Sequence, residues 1–136
     1  MKLILVRHGE TLANIAETHE GGTIEGELSE AGIEQAKKLA KRLKEEKLDA
    51  IFCSTLNRAK QTLKEILKHQ KKTPVIYLKE IRELDLGDFA GKKYSEVDWN
   101  NKPKNVESYR DLEKRAKKAI DTAYKKYPNG TVLFIA

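Results

Sequence analysis

A chain of 136 residues, 39% hydrophobic and 35% charged, is long enough for one domain spanning 1–136 and leaves little room for a second core. No apolar run approaches the roughly 18 residues of a membrane-spanning helix, and the single cysteine, Cys53, excludes an internal disulfide, which is typical of a cytoplasmic protein. The net charge of +6 comes mostly from lysines interleaved with glutamates, as in 37–47, and no aromatic stacking set accompanies them, so we expect neither a nucleic-acid nor a membrane partner.

Two strand–helix pairs are predicted in the first half of the chain. The apolar run KLILV at 2–6 indicates a strand that is buried on both faces. Ser29 is a typical N-cap for a helix whose apolar residues recur at helical spacing, namely Ile33, Ala36, Leu39, Ala40 and Leu43. A second short strand, DAIFC at 49–53, precedes a helix with one apolar stripe, formed by Leu56, Ala59, Leu63, Ile66 and Leu67.

The second half of the chain continues this alternation. PVIYL at 74–78 predicts a third strand, and TVLFI at 131–135 predicts a fourth. Between them, a long helix over about 108–127 starts at Ser108 and turns six residues inward, namely Tyr109, Leu112, Ala116, Ala119, Ile120 and Ala123. Strands joined by helices of this length predict an α/β fold, a three-layer α/β/α sandwich around a mainly parallel sheet.

Charged side chains follow three of the predicted strands, at the edge where parallel sheets bind their ligands. Arg7 and His8 come directly after the first strand, and Gly9 allows a ligand to approach the backbone closely. A lone histidine is more often a core residue, but a buried arginine beside it needs an anionic partner. Arg58 follows the second strand, although it also fits a solvated surface position, and Glu83 follows the third. Together these residues predict a phosphate pocket with a nucleophile and a proton donor.

Five motifs follow one another along nearly the whole chain. They are RHGET at 7–11, LSEAGIEQA at 28–36, STLNRAKQT at 54–62, RELDLGDFAG at 82–91, and Glu107-Ser108 with Arg115. In this order they resemble the motifs of the histidine phosphatase superfamily, whose members are phosphoglycerate-mutase-like. RHG alone is a weak signal, whereas the ordered set is specific. The resemblance implies the phosphoglycerate-mutase-like fold and a metal-independent enzyme that needs no cofactor.

The resemblance further implies that a phosphomonoester is hydrolysed through a phosphohistidine on His8. Arg7 and Arg58 would bind the phosphoryl oxygens, and their charges make a metal ion unnecessary. Glu83 would protonate the leaving alkoxide and then deprotonate the attacking water, for which partial burial would keep it protonated at first. Further contacts with the phosphorylated small-molecule substrate are implied for three residues, Thr11, Asn14 and Gly22.

Two departures from the superfamily pattern leave other functions open. A second histidine belongs directly after the strand at 131–135, where this sequence reaches Ala136, and neither His19 nor His69 matches its position. We therefore expect that the C-terminal part of the family fold is missing and that catalysis is impaired, or that the chain is a non-catalytic phosphate-binding or interaction domain. The cap insertion at about 92–106 is short, which favours a phosphatase over a phosphoglycerate-mutase-type phosphotransferase.

The strand at 131–135 also leads to a prediction about assembly. In the superfamily this strand lies inside the sheet, beside the first strand. If further strands are absent, its apolar backbone edge is expected to be unpaired, and such an edge pairs with other chains. A homodimer formed through 131–135 is one expected outcome.

Overall fold

The computed structural model describes all residues from Met1 to Ala136. Four strands and four α-helices follow one another in the order β1 (Lys2–Val6), α1 (Leu12–Ile15), α2 (Glu30–Arg42), β2 (Ala50–Ser54), α3 (Asn57–Leu67), β3 (Val75–Leu78), α4 (Tyr109–Lys126) and β4 (Thr131–Ile135). Four short 3₁₀ helices lie between β3 and α4, at Lys79–Ile81, Gly87–Phe89, Tyr94–Glu96 and Trp99–Asn101.

The four strands form one parallel sheet in the order β1-β4-β2-β3. In β4, Val132 pairs with Leu3 of β1, and Leu133 pairs with Ile51 of β2. The expected position of 131–135 beside the first strand is therefore confirmed. The expected free edge on this strand is wrong, because hydrogen-bonded neighbours occupy both of its sides, and the homodimer that was predicted through 131–135 loses its basis.

Helices cover both faces of the sheet, which confirms the three-layer α/β/α architecture. On one face, α2 and α3 pack against the sheet in a core formed by Ala40, Leu43, Ile51, Cys53, Ala59, Leu63, Ile66, Leu133 and Ile135. On the other face, α4 packs through two small residues, Ala119 and Ala123, against Ala50, Phe52, Val132 and Phe134. Small residues let the α4 backbone approach the sheet closely. The core on this face therefore lies between α4 and the two strands β2 and β4.

Two helix starts follow from hydroxyl caps in the sequence. The Ser29 hydroxyl accepts a hydrogen bond from the Gly32 amide at the start of α2, at 3.0 Å. The Ser108 hydroxyl accepts one from the Asp111 amide at the start of α4, at 3.1 Å. Each cap satisfies an amide that has no partner within its helix, so both predicted starts are confirmed.

Several predicted core positions are exposed instead. β1 is an edge strand rather than a strand buried on both faces, and Leu5 is 70% exposed. Tyr109 and Ile120 of α4 are 71% and 37% exposed, and Ile33 of α2 is 37% exposed. Leu5 and Ile120 are exposed because α4 packs over β2 and β4 through its alanines and leaves β1 uncovered on that face. An apolar groove therefore runs between β1 and α4.

The segment between 92 and 106 packs onto the sheet domain through a small third core. Its buried members are Leu84, Leu86, Phe89 and Val106. The ring of Trp99 lies edge-on to the Phe89 ring, with centroids 5.3 Å apart. No helix in the fold has both the length and the apolar content that crossing a membrane requires.

Candidate active site

The side chains that follow three of the strands meet in one cleft at the carboxyl edge of the sheet. Arg7 and His8 come from the end of β1, Arg58 from the first turn of α3, and Glu83 from the loop after β3, and all four line the cleft. The predicted convergence of these four side chains is confirmed. Asn14 lines the same cleft.

The imidazole of His8 is held in a single tautomer. Its Nδ1 atom lies 2.7 Å from the carbonyl oxygen of Gly9, which can only accept a hydrogen bond, so Nδ1 carries the proton. The Nε atom of Arg58 donates to His8 Nε2 at 3.0 Å, so Nε2 carries the lone pair. Burial lowers the pKa of His8, and the positive charges of Arg58 and Arg7 lower it further, which outweighs the opposing Gly9 hydrogen bond. The imidazole therefore lines the cleft in its neutral form, with the lone pair on Nε2.

Arg58 is the buried arginine of the cleft. Only 2% of it is exposed, which excludes the solvated surface position that its sequence context also allowed. Besides His8, its guanidinium donates to the carbonyl oxygens of Ile24 and Gly21, each at 2.8 Å. Desolvation lowers the pKa of Arg58, but Glu20 and Glu83 oppose this effect, and an arginine keeps its charge under such conditions. A fixed positive charge is thus directed at His8 Nε2.

Arg7 and Glu83 are exposed, in contrast to Arg58. The partial burial expected for Glu83 is therefore wrong, and its carboxylate accepts a hydrogen bond from the Leu84 amide at 2.9 Å. The close approach predicted at Gly9 is made by the protein rather than by a ligand. A Cβ atom on Gly9 would lie 2.4 Å from the carbonyl oxygen of Gly32 in α2.

Arg115 of α4 holds the loop that carries Glu83. Its guanidinium donates to the carbonyl oxygens of Glu80, Arg82 and Glu83, at 2.8, 2.6 and 2.9 Å. It also forms two hydrogen bonds to the Glu107 carboxylate, and this contact holds the pKa of Glu107 below its usual range. The motifs at 82–91 and 107–115 are separate in sequence, but the hydrogen bonds of Arg115 join them in the structure.

Thr11 and Gly22 are not brought to the cleft lining. Thr11 is fully buried, and its hydroxyl donates to the Glu20 carboxylate at 2.8 Å and accepts from the Asn14 amide. The amide of Gly22 donates to the carbonyl oxygen of Leu84 at 2.7 Å. Their substrate contacts stay predictions, and the structure gives both residues partners within the protein.

Glu20 is a cleft residue that sequence reasoning missed. It lines the cleft, is 8% exposed, and belongs to no motif; its place before the Gly21-Gly22 pair was the only signal. A buried carboxylate beside His8 and Arg58 balances part of the positive charge there. No group of three or more His, Cys, Asp or Glu side chains is arranged to hold a metal ion.

Comparison with known proteins agrees with this geometry. A family model described as the histidine phosphatase superfamily (branch 1) matches residues 3–136. The chain belongs to the histidine phosphatase superfamily. Within the superfamily it is 33% identical, over 134 residues, to the adenosylcobalamin/α-ribazole phosphatase of Salmonella typhimurium, covering 88% of this chain and 65% of that protein. It is 34% identical, over 150 residues, to phosphoserine phosphatase 1 of Hydrogenobacter thermophilus, covering 100% of this chain and 70% of that protein.

A solved structure of the superfamily shares the fold closely. Bacillus stearothermophilus YhfR superimposes with a TM-score of 0.91 at 30% identity, covering 98% of this chain and 72% of that one. The chain spans less than two thirds of the length of several curated relatives, including 42% and 43% of two of them. At the end of β4, the carbonyl oxygen of Ala136 accepts a hydrogen bond from the His8 amide at 2.8 Å, so this strand leads directly to the cleft.

Proposed function

We propose that this protein hydrolyses phosphomonoesters through a phosphohistidine formed on His8. The observation that carries the proposal is the state of the imidazole. The Gly9 carbonyl holds the proton on Nδ1, and the buried Arg58 points its Nε donor at the Nε2 lone pair. A neutral imidazole whose Nε2 carries a lone pair beside two guanidinium groups is suited to attack an anionic phosphorus centre once phosphate takes over the Arg58 contact.

The reaction balances in two half-reactions. First, His8 Nε2 attacks phosphorus, the bond between phosphorus and the ester oxygen breaks, and Glu83 gives a proton to the leaving alkoxide. Second, water attacks the phosphohistidine, Glu83 takes a proton from that water, and the phosphorus–nitrogen bond breaks. Inorganic phosphate leaves, and His8 returns to its neutral form.

Arg7 and Arg58 supply the electrostatic part of the proposal. Arg58 is fixed by the carbonyls of Gly21 and Ile24, so its charge is in place before the transition state forms. Arg7 is exposed and free to close over a bound phosphate. Asn14 lines the cleft beside them and offers an amide donor. Two guanidinium groups can balance the charge of a transferring phosphoryl group without a metal ion.

The substrate is a phosphorylated small molecule in this proposal. The relatives include an α-ribazole phosphatase and a phosphoserine phosphatase, which differ in the alcohol that carries the phosphate. A mutase-type reaction would share the first half-reaction and differ only in the acceptor of the second. A phosphohistidine on His8 is therefore common to both reactions.

The experiment traps the intermediate. The protein is mixed with p-nitrophenyl phosphate labelled at phosphorus, quenched in alkali, and searched by mass spectrometry for phosphohistidine on the peptide that contains His8. His8→Asn should lose both the label and the turnover while the fold is retained. His69→Asn, at an exposed histidine beyond the end of α3, is the matched control and should keep both. Label on another residue, or undiminished turnover in His8→Asn, contradicts the proposal.

A further inference from the structure

The cleft around His8 has a second half that the phosphate chemistry does not use. The ester oxygen has to lie within reach of Glu83, so the alcohol extends from phosphorus on the Glu83 side of His8. Besides the polar residues around His8, the cleft is lined by Thr18, His19, Leu84, Leu86 and Tyr94, and Leu84 directly follows Glu83 in the chain. The depression on the opposite side of His8 is lined by Gly9, Glu10 and Gln35 among others, and Glu83 does not reach it.

His19 is held in this half of the cleft by its backbone and by aromatic contacts. Its amide donates to the Lys92 carbonyl at 2.8 Å, and its carbonyl accepts from the Gly91 amide at 2.7 Å. The ring lies 4.6 Å from the Tyr94 ring and 5.8 Å from the Trp99 ring, centroid to centroid. Its Nε2 atom is buried without a hydrogen-bond partner. The imidazole is thus packed as an aromatic ring, and desolvation lowers its pKa, which keeps it neutral.

The charges of the cleft are divided unequally between the two halves. Apart from the histidines, Arg7 and Arg58 are its only basic lining residues, and both lie beside His8, where the phosphate binds. The other half has no lysine or arginine, while the carboxylates of Glu20 and Glu83 line the same cleft. An alcohol that carries a carboxylate would lose hydration there and meet no compensating cation.

From these contacts we propose that His19 and Tyr94, with Leu84 and Leu86, form a leaving-group subsite that accepts uncharged, ring-containing alcohols and rejects alcohols that carry a carboxylate. The inference rests on the proposed function, because it takes the phosphate position from it. Rings of this kind stack on His19 and Tyr94, and the two leucines cover their apolar edges. His19 and Tyr94 are therefore specificity-determining residues, and the substrates are phosphomonoesters of neutral cyclic alcohols.

The test measures binding, so that it does not depend on turnover. Affinities are determined by calorimetry for benzylphosphonate, 4-(carboxymethyl)benzylphosphonate and methylphosphonate, which are non-hydrolysable probes. We expect benzylphosphonate to bind more tightly than each of the other two by about two- to tenfold, the range that one aromatic contact supplies. His19→Arg, which adds a cation, should shift the preference toward the carboxymethyl compound. Tyr94→Leu, at a residue that is 44% exposed, should reduce the preference for benzyl over methyl.

Each result decides the inference separately from the proposed function. Equal affinities of the three phosphonates, or preferences that neither variant alters, would overturn the subsite. The Tyr94→Leu comparison keeps the test decisive should His19→Arg fail to fold, which circular dichroism and thermal unfolding reveal. Benzylphosphonate selectivity without turnover of p-nitrophenyl phosphate would support the subsite and count against the hydrolytic function. Turnover without selectivity would do the opposite.

Discussion

Arg58 donates a hydrogen bond from Nε to His8 Nε2 at 3.0 Å, on the same lone pair that the proposed reaction uses. In the proposed reaction, a bound phosphate therefore has to displace this contact before His8 Nε2 can attack. Arg58 keeps two further hydrogen bonds, to the carbonyls of Ile24 and Gly21, so only a small shift of its Nε is needed. The ligand-free cleft is thus prepared for an anion, because the guanidinium exchanges a neutral partner for a charged one.

Replacing Arg58 by lysine should separate the contribution of its positive charge to catalysis from that of its hydrogen-bond geometry. Arg58→Lys keeps a positive charge, but it cannot reach His8 and both carbonyls together. We expect kcat/KM for p-nitrophenyl phosphate to fall by about 10²- to 10³-fold, as for other lost transition-state donors. Arg110→Lys, at an exposed residue of α4, is the matched control and should change neither activity nor stability. If Arg58→Lys is as active as that control, the hydrogen-bond geometry of the guanidinium is unimportant for catalysis.

The lowered pKa of His8 predicts a defined pH dependence. Because burial holds this pKa below its ordinary value of 6.5, the imidazole should stay neutral, and nucleophilic, as the pH falls through 6.5. The unfolded chain binds a proton there and the folded chain does not, so this residue lowers the folding stability as the pH falls from 6.5 to the folded-state pKa. Nitrogen-15 NMR should show a protonated Nδ1 and an unprotonated Nε2. His8→Asn should lose less stability across that pH range than the unchanged protein, and a titration of His8 at or above 6.5 would contradict the reasoning.

Variants of Thr11 distinguish a role in stabilising the fold from a direct contact with the substrate. Thr11→Val keeps the shape of the side chain but removes the hydroxyl that donates to Glu20, so we expect a loss of about 1–3 kcal/mol in the free energy of unfolding. Thr11→Ser restores the donor and should recover most of that stability. Inorganic phosphate should bind Thr11→Ser and the unchanged protein alike. If Thr11→Val weakens phosphate binding by more than tenfold without affecting stability, Thr11 contacts the phosphate directly.

Arg115 is expected to act on catalysis through the position of Glu83. Arg115→Met leaves three carbonyl oxygens and the Glu107 carboxylate without their donor, which should cost about 2–3 kcal/mol of stability. At a temperature where the variant remains folded, kcat should fall while phosphate affinity is nearly retained, because the phosphate site does not use this loop. Arg110→Met on the same helix controls for the loss of an exposed charge. A rise in KM with unchanged kcat would place Arg115 in substrate binding instead.

Any phosphatase activity should persist in EDTA. The basis is the donor set, in which two arginines face the phosphate position and no cluster of metal-ligating side chains accompanies them. Turnover is measured before and after dialysis against chelator, and again after addition of magnesium or zinc. Activity that disappears with the chelator and returns with either metal would falsify metal-independent catalysis.

The sequence predicted the phosphate side of the cleft because strand ends fix positions. His8, Arg58 and Glu83 each follow a strand directly or within a few residues, and parallel strands end at one edge of a sheet. Glu20 and Thr11 were harder to place because Glu20 lies in the irregular segment between α1 and α2 and Thr11 lies directly before α1. No periodicity there determines which way a side chain points, so their mutual hydrogen bond follows only from tertiary structure.

The order of the strands in the sheet likewise cannot be predicted from the local hydrophobic pattern. The runs KLILV and TVLFI look equally suited to burial, yet β1 lies at the edge with Leu5 exposed, and β4 lies in the centre. Which of two similar strands is covered depends on where α4 crosses the sheet. Its buried alanines, Ala119 and Ala123, pack against β2 and β4. The sequences of β1 and β4 themselves do not indicate which strand the helix covers.

The central place of β4 has a consequence for how the chain acquires its structure during synthesis. β1 is made first, but its only partner in the sheet is β4, about 130 residues later. Until β4 emerges from the ribosome, β1 cannot join β2, and His8 has no Ala136 carbonyl to hold its amide. Nascent chains halted before residue 131 should therefore expose the apolar face of β1 to chaperones. His8 is translated long before β4, yet its backbone amide gains its partner only once β4 has paired with β1.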